Sequence, residues 1–213
     1  MNTRIILIRH GETAWNAVRR LQGHIDIPLS EVGERQALAL GRALASESID
    51  VIVSSDLGRA RQTAEAVVAH HKLALQIDPA LRERAYGVFE GLLYTEIAER
   101  YPVEFAEWQA RDVDSIMPHG DRFAESFHQF YDRCIGAIAR WAGEWQGKTI
   151  ALVAHGGVLE CAYRAANSMA LDSPRDFQVK NASINRFIFE ASKLGLEQWG
   201  DVAHLQTASI DDL

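Results

Sequence analysis

The sequence predicts a three-layer α/β/α domain built on a mostly parallel central sheet. Three observations point there. Short, continuous β-branched runs recur along the chain, and amphipathic helical patterns lie between them. Ionisable residues then follow the runs at their carboxyl ends.

The first run is Ile5-Ile6-Leu7-Ile8, whose lack of alternation marks a strand covered on both faces. Val51-Ile52-Val53 and Ile150-Ala151-Leu152-Val153 repeat the pattern, and a shorter run at Leu75-Gln76-Ile77 is closed by Asp78-Pro79. Residues 184–189 and 194–199 read as a hairpin turning around 193–195, where Gly195 supplies the turn signal. Helices are expected over the Ala- and Leu-rich 31–46. They are also expected through Leu57, Ala60, Ala64, Val67 and Val68, and through Phe123, Phe127, Phe130, Cys134, Ile138, Trp141 and Trp145. Residues 92–121 fit less well. Short helical pieces there end in Met117-Pro118-His119-Gly120, and the stretch reads as a lid-like insertion in a single domain spanning 1–213.

The 213 residues carry a net charge of −7 and are 47 % hydrophobic, so a sizeable core needs no disulfide or structural metal. The acidic balance argues against a nucleic-acid partner, and an anionic ligand would need a local basic pocket. Two cysteines, Cys134 and Cys161, make neither a disulfide framework nor a zinc site. No apolar run approaches the roughly 20 residues of a membrane span, and the first run is too short for a secretory leader. No membrane partner and a cytoplasmic location are therefore expected, and a homodimer is left open.

Ligands of open α/β sheets bind beyond the carboxyl ends of the strands. After the first run comes Arg9-His10-Gly11-Glu12-Thr13, and after the second Ser54-Ser55-Asp56-Leu57-Gly58-Arg59. Leu81-Arg82-Glu83-Arg84 follows the strand near residue 77, and Ala154-His155-Gly156-Gly157 follows the last. These types suit phosphoryl transfer. Arginine binds phosphate oxygens bidentately and keeps its charge. A neutral histidine is a nucleophile, a glutamate can supply a proton, and a Gly-Gly helix start lets backbone N–H groups approach an anion.

Arg9-His10-Gly11-Glu12-Thr13 with Trp15-Asn16 resembles the signature of the histidine phosphatase superfamily, which also contains the cofactor-dependent phosphoglycerate mutases. Further blocks follow in family order: Gly23-His24-Ile25-Asp26-Ile27-Pro28-Leu29-Ser30, then 54–64, 81–91 and 153–157. The resemblance spans residues 4–190. It implies that His10 is the residue phosphorylated, that Arg9, Arg59 and His155 line the phosphate pocket, and that Asn16 adds a neutral donor. It also implies that Glu83 is general acid and then base, that Gln22, Gly23 and Gly156 contact substrate, and that no metal or cofactor is used.

The same resemblance covers phosphatases and mutases. The mutases resemble Leu-Gln-Gly-Leu-Asn-Lys here, whereas this chain has Glu90-Gly91-Leu92-Leu93, with glutamate in place of the glutamine and no lysine after Gly91. Their later basic segment is also missing: residues 105–117 hold Arg111 among Glu107, Asp112 and Asp114. This charge count favours a metal-independent phosphatase of small phosphomonoesters, with the mutase as alternative. A non-catalytic phospho-ligand binding or interaction module is the alternative of another class. It would be signalled by loss of Arg9, His10, Arg59 or His155, and all four are present. Gly120 is separated from Glu125-Ser126 by four residues, which leaves the equivalence of that pair to the family's Gly-Glu-Ser open.

Overall fold

In a computed structural model that describes residues 2–207, six strands form one sheet in the order β3-β2-β4-β1-β5-β6. They are β1 (Thr3–Arg9), β2 (Val51–Ser54), β3 (Leu75–Ile77), β4 (Thr149–Ala154), β5 (Ile184–Glu190) and β6 (Lys193–Asp201). The first four are mutually parallel, and β5 pairs antiparallel to both β1 and β6. The expected mostly parallel sheet is therefore observed.

The continuous apolar runs serve two cores at once. In β1, Ile5 and Leu7 join the core under α6 (Phe127–Glu144) and α7 (Gly156–Ala166). Ile6 and Ile8 join the one under α2 (Glu31–Leu44) and α3 (Gly58–Val68). A period of two turns successive side chains to opposite faces, so a strand with helices on both sides must be apolar at every position. Full burial of each such side chain is worth about 1.5–3 kcal/mol.

Two boundaries differ from expectation. The hairpin turns at Ala191 and Ser192, both with positive φ (49° and 62°), while Lys193 already pairs with Glu190 and Gly195 lies opposite Ile188 inside the ladder. Pairing continues to the tightest two-residue closure, whose twist matches the strands. Here that geometry outweighs the turn preference of glycine. The long helix begins at Phe127, and Phe123 stands outside it, 61 % exposed. Ser126 caps the helix through the Gln129 N–H, and Gln129 returns a bond to the Ser126 N–H. The Glu125-Ser126 pair thus does sit directly before this helix.

Residues 92–121 contain α4 (Tyr94–Arg100) and α5 (Pro102–Gln109). They gather around a small core of Phe89, Ile97, Met117 and Ala124 with Trp108 and Phe105 against it. Two short helices, α1 (Ala14–Ala17) and α8 (Ala203–Thr207), are the remaining α-helices among the described residues. No helix among the described residues is long and apolar enough to cross a membrane.

Candidate active site

The carboxyl ends of β1, β2 and β4 open on a cavity of about 560 Å³. Arg9 and His10 leave β1 into it, Arg59 enters from the first turn of α3, and Gly156 and Gly157 start α7 at its edge. Glu83 joins them from the segment after β3. Of the residues singled out in the sequence, Asn16, Gln22 and Gly23 also line this cavity. His155 stands behind His10, fully buried, with the two rings 5.1 Å apart.

His10 is held in one useful state. Its Nδ1 lies 2.6 Å from the Gly11 carbonyl, which can only accept, so Nδ1 carries the proton and Nε2 keeps its lone pair. Gly11 must be glycine, because a Cβ there would lie 2.5 Å from the Gly33 carbonyl oxygen. Burial, then the charges of Arg59 and Arg9, hold the imidazole well below its usual pKa, against the Gly11 carbonyl. His155 is likewise depressed, by burial and then by Arg59. Its Nε2 meets Ser55 Oγ at 2.8 Å.

The two arginines are built into the frame. Arg59 donates through its terminal nitrogens to Ile25 O at 2.9 Å and Gly23 O at 2.8 Å, and Arg9 donates to Val179 O at 2.6 Å. The Nε–H groups of both are buried and have no acceptor among the described residues, nor has His155 Nδ1 a partner there. Burial lowers both guanidinium pKa values to about 10, with Glu83 the leading opposing charge, so both remain cationic at neutral pH. Unpaired buried donors on two cations beside a neutral histidine make a site for an anion.

Asn16 Oδ1 takes the Thr13 N–H at 3.1 Å and the Asn181 amide at 3.3 Å, which turns the oxygen inward to the protein. Gln22 is buried, with its Oε1 unpartnered among the described residues. Gly23 has φ +53°, and a Cβ there would meet the Glu90 carboxylate at 2.1 Å.

Glu83 is held through both oxygens. Oε1 accepts the Arg84 N–H at 2.9 Å and Oε2 the Gly157 N–H at 3.0 Å. The side chain is thus fixed against the first turn of α7, whose free N–H groups orient it. A Cβ on Gly157 would fall 2.2 Å from Glu83 Oε1, so a side chain there would push the Glu83 carboxylate from this position. Behind it, Arg133 bonds the carbonyls of Ala80, Arg82 and Glu83 and is itself held by the buried Glu125. His24 approaches the Glu83 carbonyl at 2.8 Å and lines a smaller neighbouring cavity, away from His10.

Several residues at the site lie outside the sequence reading. Arg175 and Val179 on the wall, and Asn181 behind it, come from the irregular stretch between α7 and β5, which has no periodicity to announce it. Asn181 donates to the His10 carbonyl at 3.1 Å and so closes the wall on β1. Glu160 had one visible signal: with Arg164 four residues on, it interrupts an otherwise apolar helix face. The linear charge count over 105–117 also misses the wall. Arg111 turns to Glu160 beside Arg164 and Arg175, while Glu107 bonds Ser115 and Asp114 pairs with His128, both at exposed positions. Among the described residues no group of three or more His, Cys, Asp or Glu could hold a metal ion.

Residues 5–202 match the family model of the histidine phosphatase superfamily (branch 1). The chain is 37 % identical to phosphoglycerate mutase-like protein 4 of Arabidopsis thaliana, over 95 % of this chain and 86 % of the relative. It is 36 % identical to a metal-independent phosphoserine phosphatase of the same plant, over 98 % and 85 %. Among solved structures, YhfR of Bacillus stearothermophilus superposes with a TM-score of 0.86 at 32 % identity, over 95 % of this chain and 99 % of that one.

Proposed function

The chain belongs to the histidine phosphatase superfamily, and from that premise we propose that it hydrolyses small phosphomonoesters through a phosphohistidine on His10, without a metal. The observation that carries this reading is the pair of buried, unacceptored Nε–H groups of Arg9 and Arg59 beside a histidine whose Nε2 is free. The phosphoryl oxygens replace the missing acceptors, and the two cations take up the charge of the transition state. His155 and Asn16 add neutral contacts.

His10 Nε2 attacks phosphorus in line as the ester oxygen leaves. Glu83 donates a proton to that oxygen, then takes one from the water that attacks the phosphohistidine, which restores the free enzyme and releases inorganic phosphate. The insertion at 92–121 acts as the lid over the leaving group. The metal-independent phosphatase among the relatives supports the hydrolytic branch.

A mutase reading also has support, in the phosphoglycerate mutase-like relative. Arg19, Arg20 and Arg175 on the cavity wall could take a second anion. One assay separates the two. Phosphate release from a panel of phosphomonoesters is measured beside the interconversion of phosphoglycerates with their bisphosphate present. Hydrolysis without interconversion is expected, and fast interconversion with little free phosphate would give the mutase. His10→Ala should abolish turnover of every ester and leave no acid-labile phosphoenzyme.

A further inference from the structure

Ser55 is fully buried just beyond β2, and the sheet delivers it to His155. The parallel pairing of β2 with β4 sets Ser54 against Val153, and the Ser55 N–H continues it onto the Val153 carbonyl at 3.0 Å. Parallel neighbours advance together, so the residues that follow β2 and β4 meet at one edge of the sheet. His155 follows Ala154, the last residue of β4, and its Nε2 reaches Ser55 Oγ at 2.8 Å. Its other ring nitrogen, Nδ1, is buried and has no partner among the described residues.

The Nε2–Oγ bond can be made with the hydrogen on either side. If Nε2 carries it, the Ser55 hydroxyl hydrogen needs an acceptor elsewhere. Among the described residues no second acceptor lies within reach of Oγ. Its other polar contact is the Leu57 N–H at 3.4 Å, itself a donor. If Ser55 donates instead, Oγ accepts from Leu57 and gives its hydrogen to Nε2. The proton of the neutral ring then sits on Nδ1. Burial, followed by the charge of Arg59, keeps the ring neutral. The second arrangement leaves fewer buried groups without a partner, and buried polar groups settle that way.

The one group left over is the Nδ1–H, and it has company. The His155 ring lies 5.1 Å from the His10 ring, and the buried Nε–H groups of Arg9 and Arg59 lack acceptors at the same edge of the sheet. Resting on the phosphatase reading above, we propose that Ser55 is a positioning residue: its hydroxyl fixes His155 as the Nδ1–H tautomer, which gives the phosphoryl group a third N–H donor beside Arg9 and Arg59. A lone pair in that place would repel the phosphoryl oxygens. A neutral donor stabilises them without setting a third positive charge against the imidazole that attacks.

Long-range proton–nitrogen NMR on the resting protein, labelled with nitrogen-15 at histidine, reads the tautomer directly. His155 is assigned from the signals lost in His155→Gln. Near neutral pH, Nε2 should resonate as a pyridine-type nitrogen and Nδ1 as a pyrrole-type one, and orthovanadate should shift the Nδ1 signal. Ser55→Ala should spread the proton over both nitrogens. It should also lower kcat/KM by about tenfold or more and weaken inhibition by orthovanadate by a similar factor. A role confined to folding would cost active protein and leave the orthovanadate inhibition constant where it was. A wild-type ring protonated on Nε2 overturns the proposal, and so does a Ser55→Ala variant with the same tautomer and the same inhibition constant. Should Ser55→Ala fail to fold, the wild-type spectrum decides alone. Absence of phosphate release from every ester, together with no phosphoenzyme on His10, would instead overturn the phosphatase reading beneath, and the tautomer would still be read in the resting protein.

Discussion

The Glu83 carboxylate accepts the Gly157 backbone N–H at 3.0 Å, so the proposed acid and the first turn of α7 are joined at the edge of the phosphate cavity. This bond requires position 157 to lack a side chain, since a Cβ would lie 2.2 Å from Glu83 and 2.8 Å from the Phe130 ring. Gly157→Ala should therefore displace Glu83 and lower kcat for alkyl phosphates by about 10-fold or more, in line with the loss of a well-placed acid. Steady-state phosphate release checks this. Wild-type rates would show that Glu83 needs no anchoring there.

Replacing the acid itself separates proton donation from positioning. Glu83→Gln should slow alkyl esters by about 10²–10⁴ and an activated aryl ester much less, because a phenolate of low pKa leaves without a proton. Equal losses on both substrates would remove Glu83 from the role of acid.

Arg59 tests whether charge suffices at that position. Its planar fork holds the Gly23 and Ile25 carbonyls while its Nε–H stays unpaired, an arrangement that a lysine ammonium lacks. Arg59→Lys should lower kcat/KM by about 10² despite the conserved charge, the loss expected for one or two charge-assisted hydrogen bonds. It should also loosen the 23–25 turn, visible as faster amide hydrogen exchange there.

Two buried histidines link folding to pH. His10 and His155 are held well below 6.5 in the folded protein, chiefly by burial. Between that depressed value and about 6.5 the unfolded chain binds protons that the folded chain does not. Stability contributed by these groups is thus present above pH 6.5 and is lost as pH falls below it, with a limiting slope of about 1.4 kcal/mol per pH unit for each histidine. Urea unfolding midpoints between pH 7.5 and 5 measure this. In the double variant His10→Gln/His155→Gln the extra pH dependence should vanish, and its persistence would place the origin elsewhere. By the same logic the limb that His10 contributes to kcat/KM should lie below the 6.5 of a free imidazole.

The phosphatase reading assigns no step to a metal. Dialysis against EDTA should leave kcat unchanged, and a loss restored by a divalent cation would require a different mechanism.

Much of the fold was legible because double burial writes itself into the residues. Strands covered on both faces must be apolar at every position, and Ile5-Ile6-Leu7-Ile8 could satisfy little else. The misplaced elements were decided by pairing and capping. Gly195 looked like a turn but lies within a ladder closed at Ala191 and Ser192, and Phe123 kept the helical period yet stands outside a helix that Ser126 starts.

The residue types at the strand ends, Arg9, His10, Arg59 and His155, were determined by sequence alone, because they follow the buried strands β1, β2 and β4, whose carboxyl ends share one edge of the sheet, while Glu83 follows the partly exposed edge strand β3. What only the tertiary structure decided is the wall around them. The tautomer of His10, the anchoring of Glu83 on Gly157 and the gathering of Arg111, Arg164 and Arg175 on Glu160 depend on contacts between segments far apart in the chain. Periodicity reports which face of an element is buried. It carries no information about which distant carbonyl or carboxylate a buried polar group will meet, and that pairing sets the chemistry of the site.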